Sequence, residues 1–346
     1  MLGMSGGVDS SVAAYLLKEK GYDVVGVTLK LWNEKDEGCM SSSAVDDAKK
    51  VADRLGIPFY VFDFKDLFEK NVIDYFTDEY LCGRTPNPCI ACNKHIKFDA
   101  MLKKAESMGI DYIATGHYAT VDYDEASGRH ILRKSKTDAK DQTYVLYNMT
   151  QHQLSHIIMP LGEYEKDEIR KIAHDIGIEV ANKPDSQEIC FVADNDYAGF
   201  IERRIGKTLP EGDFLDINGN VIGKHKGIIH YTVGQRKGLG AFGKPMFVVK
   251  IDAENNAVIL GEKGTEYKDY LIADRSNFIL FDALTEPINV KCKVRYNQTE
   301  VPCTVYPIEN GRIKVEFLNP QRAVTPGQAV VFYDGDVVVG GATILE

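Results

Sequence analysis

The stretch "MLGMSGGVDSSVAAYLLKEKG", residues 1 to 21, limits the fold most strongly. A short apolar run meets a turn built on a glycine pair. Val12, Ala13, Leu16 and Leu17 then recur at helical spacing until Gly21 stops the helix. A strand that turns tightly into a helix is the first half of a βαβ unit, and the pattern repeats. "DVVGVTL" is a continuous β-branched run, as expected of a strand covered on both faces. "SSAVDDAKKVADRLG" is helical, with a serine start and a glycine stop. "IPFYVFDF" reads as a strand, and "FDAMLKKAESMG" as a helix leading to the strand "DYIATGH". This alternation predicts an α/β domain on a doubly wound parallel sheet. "YATVDYDEASGRHILRKS" reads as an inserted hairpin turning at Ser127 and Gly128. Helices are expected at "QTYVLYNMTQHQLSHII" and "EKDEIRKIAHDIG".

The character changes after about residue 198. Strands shorten and helical periodicity fades, and "VGQRKGLGAFGKP" forms a glycine-rich loop between strand candidates. From about Leu271 the chain alternates as β-structure, with turns at Asn310-Gly311 and Asp334-Gly335. Three regions follow: a catalytic α/β domain over 1–198, a small central domain over 199–270, and a C-terminal β-barrel over 271–346. A length of 346 residues suits two or three domains.

No run of about 18 apolar residues is present, and no basic segment followed by an apolar one stands at the start, so a cytoplasmic protein without a membrane partner is expected. Seven irregularly spaced cysteines argue for reduced thiols rather than a disulfide framework. The net charge of −10 does not favour nucleic acid. Charge distribution matters more than the total, however. Between Ile217 and Ile251 stand Lys224, Lys226, Arg236, Lys237, Lys244 and Lys250, with no acidic residue among them.

"SGGVDS", Ser5 to Ser10, carries the first chemistry. Backbone N–H groups freed by Gly6 and Gly7, together with a helix N-terminus, make an anion cradle. Glycines at such a turn are often only structural, but the full string in this position points to a nucleotide. A kinase-type phosphate loop would add a Lys for the γ-phosphate, and none is present. Asp9 stands there instead and can help hold Mg²⁺. That composition suits release of pyrophosphate, and it matches the PP-loop of ATP pyrophosphatases, which adenylate a carbonyl oxygen.

Read in order, "SGGVDS", "GRTPNPCIACNKHIKF", "ATGHY", "KDQTYVLY", "DSQEICF", "GQRKGLG", "RYNQ" and "VTPGQAVVFYDGDVVVGG" resemble the tRNA-specific 2-thiouridylases over almost the whole chain. Those enzymes place sulfur on the wobble uridine of certain tRNAs. The resemblance implies an N-terminal PP-loop domain, a small central domain and a C-terminal β-barrel. Two departures stand out. The first strand, "MLGM", is short, and Cys89 occupies a position where the family often has Asp.

The resemblance implies ATP contacts at Gly3, Met4, Ser5, Gly6, Gly7, Val8, Asp9 and Ser10, with Leu29 and Gly116. It makes Cys92 and Cys190 the catalytic pair. Asn87, Pro88 and Cys89 would meet the target base, and His117, Lys140, Asp141, Gln142, Arg295, Tyr296 and Gln328 would contact tRNA, with added charge from Arg236 and Lys237. A persulfide on Cys190 would deliver sulfur and Cys92 would resolve it, leaving a disulfide for a reductant to reset. The sulfur would come from a partner such as a cysteine desulfurase or a sulfur-relay protein. Both thiols are expected to have lowered pKa values. Lys94, His95 and Lys97 would activate Cys92, whereas Cys190 has the acidic neighbours Asp185 and Glu188.

The C-x-x-C spacing of Cys89 and Cys92 leaves a second reading open. With Cys190 they would be three iron ligands, enough for a [4Fe–4S] cluster with one open iron. Cys39, Cys82, Cys292 and Cys303 read as small buried hydrophobes. Two other functions compete: a PP-loop adenylating ligase or amidotransferase acting on a small metabolite, and a non-catalytic RNA-binding or iron–sulfur scaffold. The first leaves the cysteines and the β-domain unexplained, and the second leaves the pyrophosphate loop without purpose.

Overall fold

A computed structural model describes residues 1–32, 42–178, 189–192 and 194–346. Cys39, Asp185 and Glu188 lie outside the described residues. The chain forms two compact units, one of residues 1–72, 89–195 and 335–338, the other of 73–88, 196–334 and 339–346. No helix among the described residues is long and apolar enough to cross a membrane.

The first unit begins with β1 (Leu2–Gly3), α1 (Val8–Glu19), β2 (Gly26–Lys30), α2 (Ser42–Leu55) and β3 (Phe59–Asp63). There follow α3 (Lys65–Phe68), a π-helical turn (Glu69–Ile73) and α4 (Asp74–Leu81), the last belonging to the second unit. Next come α5 (Pro88–Cys92), a second π-helical stretch (Asn93–Ala100), α6 (Met101–Ser107) and β4 (Ile113–Ala114). The hairpin β5 (Ala119–Asp124) and β6 (Arg129–Lys134) precedes α7 (Gln151–Ser155), β7 (Ile157–Ile158) and α8 (Lys166–Asp175). The sheet order is β3-β2-β1-β4-β7, with every pairing parallel, as the alternating pattern predicts.

Two residues suffice for β1 because it is bonded on both sides: Leu2 donates to Val25 at 2.8 Å, Met4 to Val27 at 2.7 Å, and Ala114 to Met1 at 2.7 Å. Leu2, Val12, Ala13, Ile169 and Ala173 are wholly buried and pack α1 and α8 over the sheet. Each large apolar side chain so buried contributes about 1.5–3 kcal/mol. The helix expected over "QTYVLYNMTQHQLSHII" is mostly absent. Gln142 is tied to the Tyr118 backbone in both directions, and α7 starts only at a capping box formed by Thr150 and Gln153. The buried set Tyr144, Leu146, Tyr147 and Met149 follows an irregular path, not one helical face.

In the second unit α4 packs on α9 (Tyr197–Ile205) through Tyr80 and Tyr197, whose ring centroids lie 5.0 Å apart. A four-stranded sheet of order β10-β11-β8-β9 follows, from β8 (Gly212–Leu215), β9 (Val221–His225), β10 (Met246–Asp252) and β11 (Ala257–Glu262). The last strands are β12 (Tyr267–Phe278), β13 (Ile288–Lys293), β14 (Val301–Pro307), β15 (Ile313–Arg322), β16 (Ala329–Asp334) and β17 (Val337–Ile344). They run β12-β15-β14-β13-β16-β17, and β17 pairs back onto β12 to close a six-stranded barrel. Closure depends on β12, which shifts register near Lys268 and again between Asp274 and Asn277, with Arg275 at φ 50°. Such bulges bend one strand enough to serve two neighbours.

Candidate functional site

The loop after β1 is shaped by contacts only glycine permits. Gly6 has φ 72°, and a Cβ there would lie 2.4 Å from the Ala44 carbonyl oxygen. Ser10 and Ser11 donate to the Gly7 carbonyl at 3.2 and 2.8 Å, Ser5 N–H donates to Ser10 Oγ, and Thr28 donates to the Met4 carbonyl. Gly7 caps α1 without a side-chain hydrogen bond, so the first-turn N–H groups face the loop. Met4, Val8 and Leu29 are core residues, and any part they play at the loop is through backbone or apolar contact.

The second loop follows β4, the neighbour of β1 across the switch in strand order, where open α/β sheets bind ligands. A Cβ on Gly116 would stand 3.0 Å from Ser10 N and 3.1 Å from Asp9 C. The two loops therefore touch backbone to backbone. His117 is buried, with Nδ1 2.7 Å from Thr115 Oγ1. Burial, with a smaller push from the charge of Lys97, holds its imidazole well below the ordinary value, so it is neutral. Asp9 is engaged: Lys166 Nζ donates to both carboxylate oxygens at 2.8 Å, and Tyr118 OH to one of them at 2.8 Å. Lys166 lies in none of the motifs and Tyr118 only closes "ATGHY", and folding alone brings the two side chains to Asp9.

Cys89 and Cys92 share a face of α5, three residues apart. Cys92 ends that helix and leads into the π-helical stretch, an irregularity common at functional sites. Pro88 starts α5, a position that suits its missing N–H. The expected lowering of the Cys92 pKa is not found. Burial pushes this thiol up to about 11, which the charge of Lys97 only partly opposes. Asn93, next in the chain, is buried and donates to the Val145 carbonyl at 3.0 Å.

Cys190 lies in a half-buried turn closed by Val192 N–H onto the Ile189 carbonyl. Phe191 anchors that turn edge-on against Phe68, centroids 5.8 Å apart. Among the described residues no three His, Cys, Asp or Glu side chains gather as a metal ion requires. Cys89, Cys92 and Cys190 are not found as such a group. Cys82 corrects the expectation of a buried thiol, since it caps the exposed end of α4. Cys292 and Cys303 are buried as expected.

Of the "KDQ" segment, Lys140 is half-exposed. Asp141 is buried and accepts from Ser135 N–H at 3.2 Å and Thr143 Oγ1 at 2.5 Å, and Gln142 accepts from Tyr118 N–H at 2.9 Å. These two side chains hold the loop. In the second unit Arg295 and Tyr296 are exposed in the turn after β13, with Arg295 donating to the Arg322 carbonyl. Gln328 donates to the Thr85 carbonyl at 2.7 Å, and Thr85 N–H donates to the Pro326 carbonyl. The "GRTP" segment is thereby fixed to the barrel, and Asn87 follows it half-buried. Arg236 and Lys237 are exposed, whereas Lys224 and Lys244 are paired with Asp213 and Glu262, so only part of the basic run is uncompensated.

Three family models match: a tRNA methyl transferase HUP domain over 1–194, a tRNA methyl transferase PRC-barrel domain over 198–262, and an aminomethyltransferase β-barrel domain over 268–344. The tRNA-specific 2-thiouridylase MnmA of Acetivibrio thermocellus is 60% identical over 352 residues, covering 99% of this chain and 98% of that one. Its namesake in Clostridioides difficile is 58% identical, with 99% and 97% covered. That of Clostridium acetobutylicum is 59% identical, with 99% and 98% covered.

Proposed function

This chain belongs to the tRNA-specific 2-thiouridylase family, and from that premise we propose that it is an ATP-dependent tRNA-uridine 2-sulfurtransferase. The observation that carries the reading is an identity near 60% across 99% of the chain, which takes in the loop, both thiol segments and the barrel.

The uridine 2-oxygen attacks the α-phosphorus of ATP and pyrophosphate leaves, so AMP becomes the group to be displaced. The terminal sulfur of a Cys190 persulfide then attacks C2, and AMP departs with the former carbonyl oxygen. Cys92 thiolate attacks the Cys190 sulfur, the persulfide S–S bond breaks, and the thiocarbonyl stays on the base. A Cys92–Cys190 disulfide remains, and a two-electron thiol reductant returns it to thiols.

Gly6, Gly7 and the start of α1 cradle the triphosphate, while Gly116 closes on them. Mg²⁺ neutralises phosphate charge when bound, with Asp9 the carboxylate able to hold it. Neutral His117, Lys140, Arg295, Tyr296, Arg236 and Lys237 serve the tRNA. A cysteine desulfurase or relay protein supplies sulfur in the cytoplasm. The sulfur passes from the Cys190 persulfide, and no step requires a cluster.

The test is nucleoside mass spectrometry of unmodified tRNA incubated with iron-free protein, ATP, Mg²⁺, cysteine and a cysteine desulfurase. 2-Thiouridine is the expected product. Product only after anaerobic cluster reconstitution would make the cysteines iron ligands, and none in either case would favour a small-metabolite ligase. Cys190→Ser should abolish thiolation while sparing ATP and tRNA binding. Asp9→Ala should stop AMP formation.

A further inference from the structure

Lys166 has no part in the reaction proposed above, yet its ammonium sits on Asp9, a residue of the phosphate loop. It stands at the first position of α8 and is only 9% exposed, a degree of burial that lysine seldom reaches unless paired. Its Nζ lies 2.8 Å from both Asp9 oxygens and 5.6 Å above the Tyr118 ring. Asp9 is the second residue of α1, the helix whose N-terminus faces the loop.

A structural staple between α8 and α1 explains this poorly. Ile169 and Ala173 already pack α8 against Val12 and Ala13, all wholly buried. Partly buried ion pairs add little over apolar contact, because desolvation offsets the attraction. Electrostatics at the loop gives a better reason. A bare carboxylate there would repel a triphosphate, and Lys166 both cancels that charge and keeps a mobile ammonium within reach.

We propose that Lys166 is a phosphate-positioning residue, stored on Asp9 in the nucleotide-free protein and transferred to the β- and γ-phosphate oxygens when ATP binds. Asp9 then keeps the Tyr118 hydroxyl. The proposal rests on the loop being the ATP site.

Equilibrium dialysis of the full chain with ATP and with AMP, in EDTA to remove Mg²⁺, tests it. K166M should weaken ATP about tenfold or more, as expected for a lost hydrogen bond between charged groups. AMP, which lacks the outer phosphates, should change by less than about threefold on the same reasoning. K166R should recover most of the loss. The D9N/K166M double variant should stay weak, since removing the repelling carboxylate does not restore the missing cation. Wild-type ATP affinity in K166M, an equal loss of ATP and AMP, or full recovery in D9N/K166M would each overturn the role. If K166M does not fold, K166Q replaces it under the same criteria. A wild-type protein that binds neither nucleotide would instead overturn the ATP site itself.

Discussion

At the residue scale, the thiols and the buried imidazole set the pH behaviour. With its pKa near 11, Cys92 in the nucleotide-free protein is almost wholly protonated at neutral pH. Its alkylation by iodoacetamide, followed by peptide mass spectrometry, should be roughly a hundredfold slower at pH 7 than for a thiol with the ordinary value of 9, and should climb to about pH 11. Fast labelling at pH 7 would show the thiol already activated. His117 titrates below its unfolded value of 6.5, so the unfolded chain binds the extra proton first. Its contribution to stability is therefore complete above that pH and is lost as pH falls below it. Urea unfolding from pH 7.5 to 5 should show this decline, and His117→Gln should reduce its slope. An unchanged slope would place the titrating group elsewhere.

At the element scale, what matters is how loops approach one another. Gly116→Ala places a methyl about 3 Å from the Ser10 and Asp9 backbone, with no flexible side chain to yield. Overpacking of this kind costs about 1–3 kcal/mol. The expected result is loss of ATP binding with a fall in thermal midpoint, read by dialysis and calorimetry. Normal ATP affinity in that variant would mean the two loops can separate without harm. The motif "ATGHY" names this glycine, but the sequence does not say what it touches. Likewise "KDQ" marks a segment without showing that Asp141 and Gln142 spend their side chains inside the fold while Lys140 is more open.

At the scale of the whole molecule, a net charge of −10 must coexist with tRNA binding. Affinity should fall steeply with salt, as phosphate contacts release counterions. Replacing Arg236 and Lys237 with Gln should lower the slope of log K against log salt by about two, one for each lost phosphate contact, without altering ATP affinity. A slope unchanged in filter binding would remove this loop from the tRNA surface.

The sequence by itself determined the parallel α/β sheet, the β-barrel and the glycine turn from β1 into α1, because these depend on local periodicity, glycine turns and contiguous motifs. The tertiary structure decided the rest. It showed that Lys166 and Tyr118 meet Asp9, that burial raises the Cys92 thiol despite its basic neighbours, and that Gln328 fixes Thr85. It also replaced an expected long helix with a turn, a capping box and α7. Each of these depends on which distant groups share a low-dielectric space or a hydrogen bond, and sequence spacing does not encode that distance.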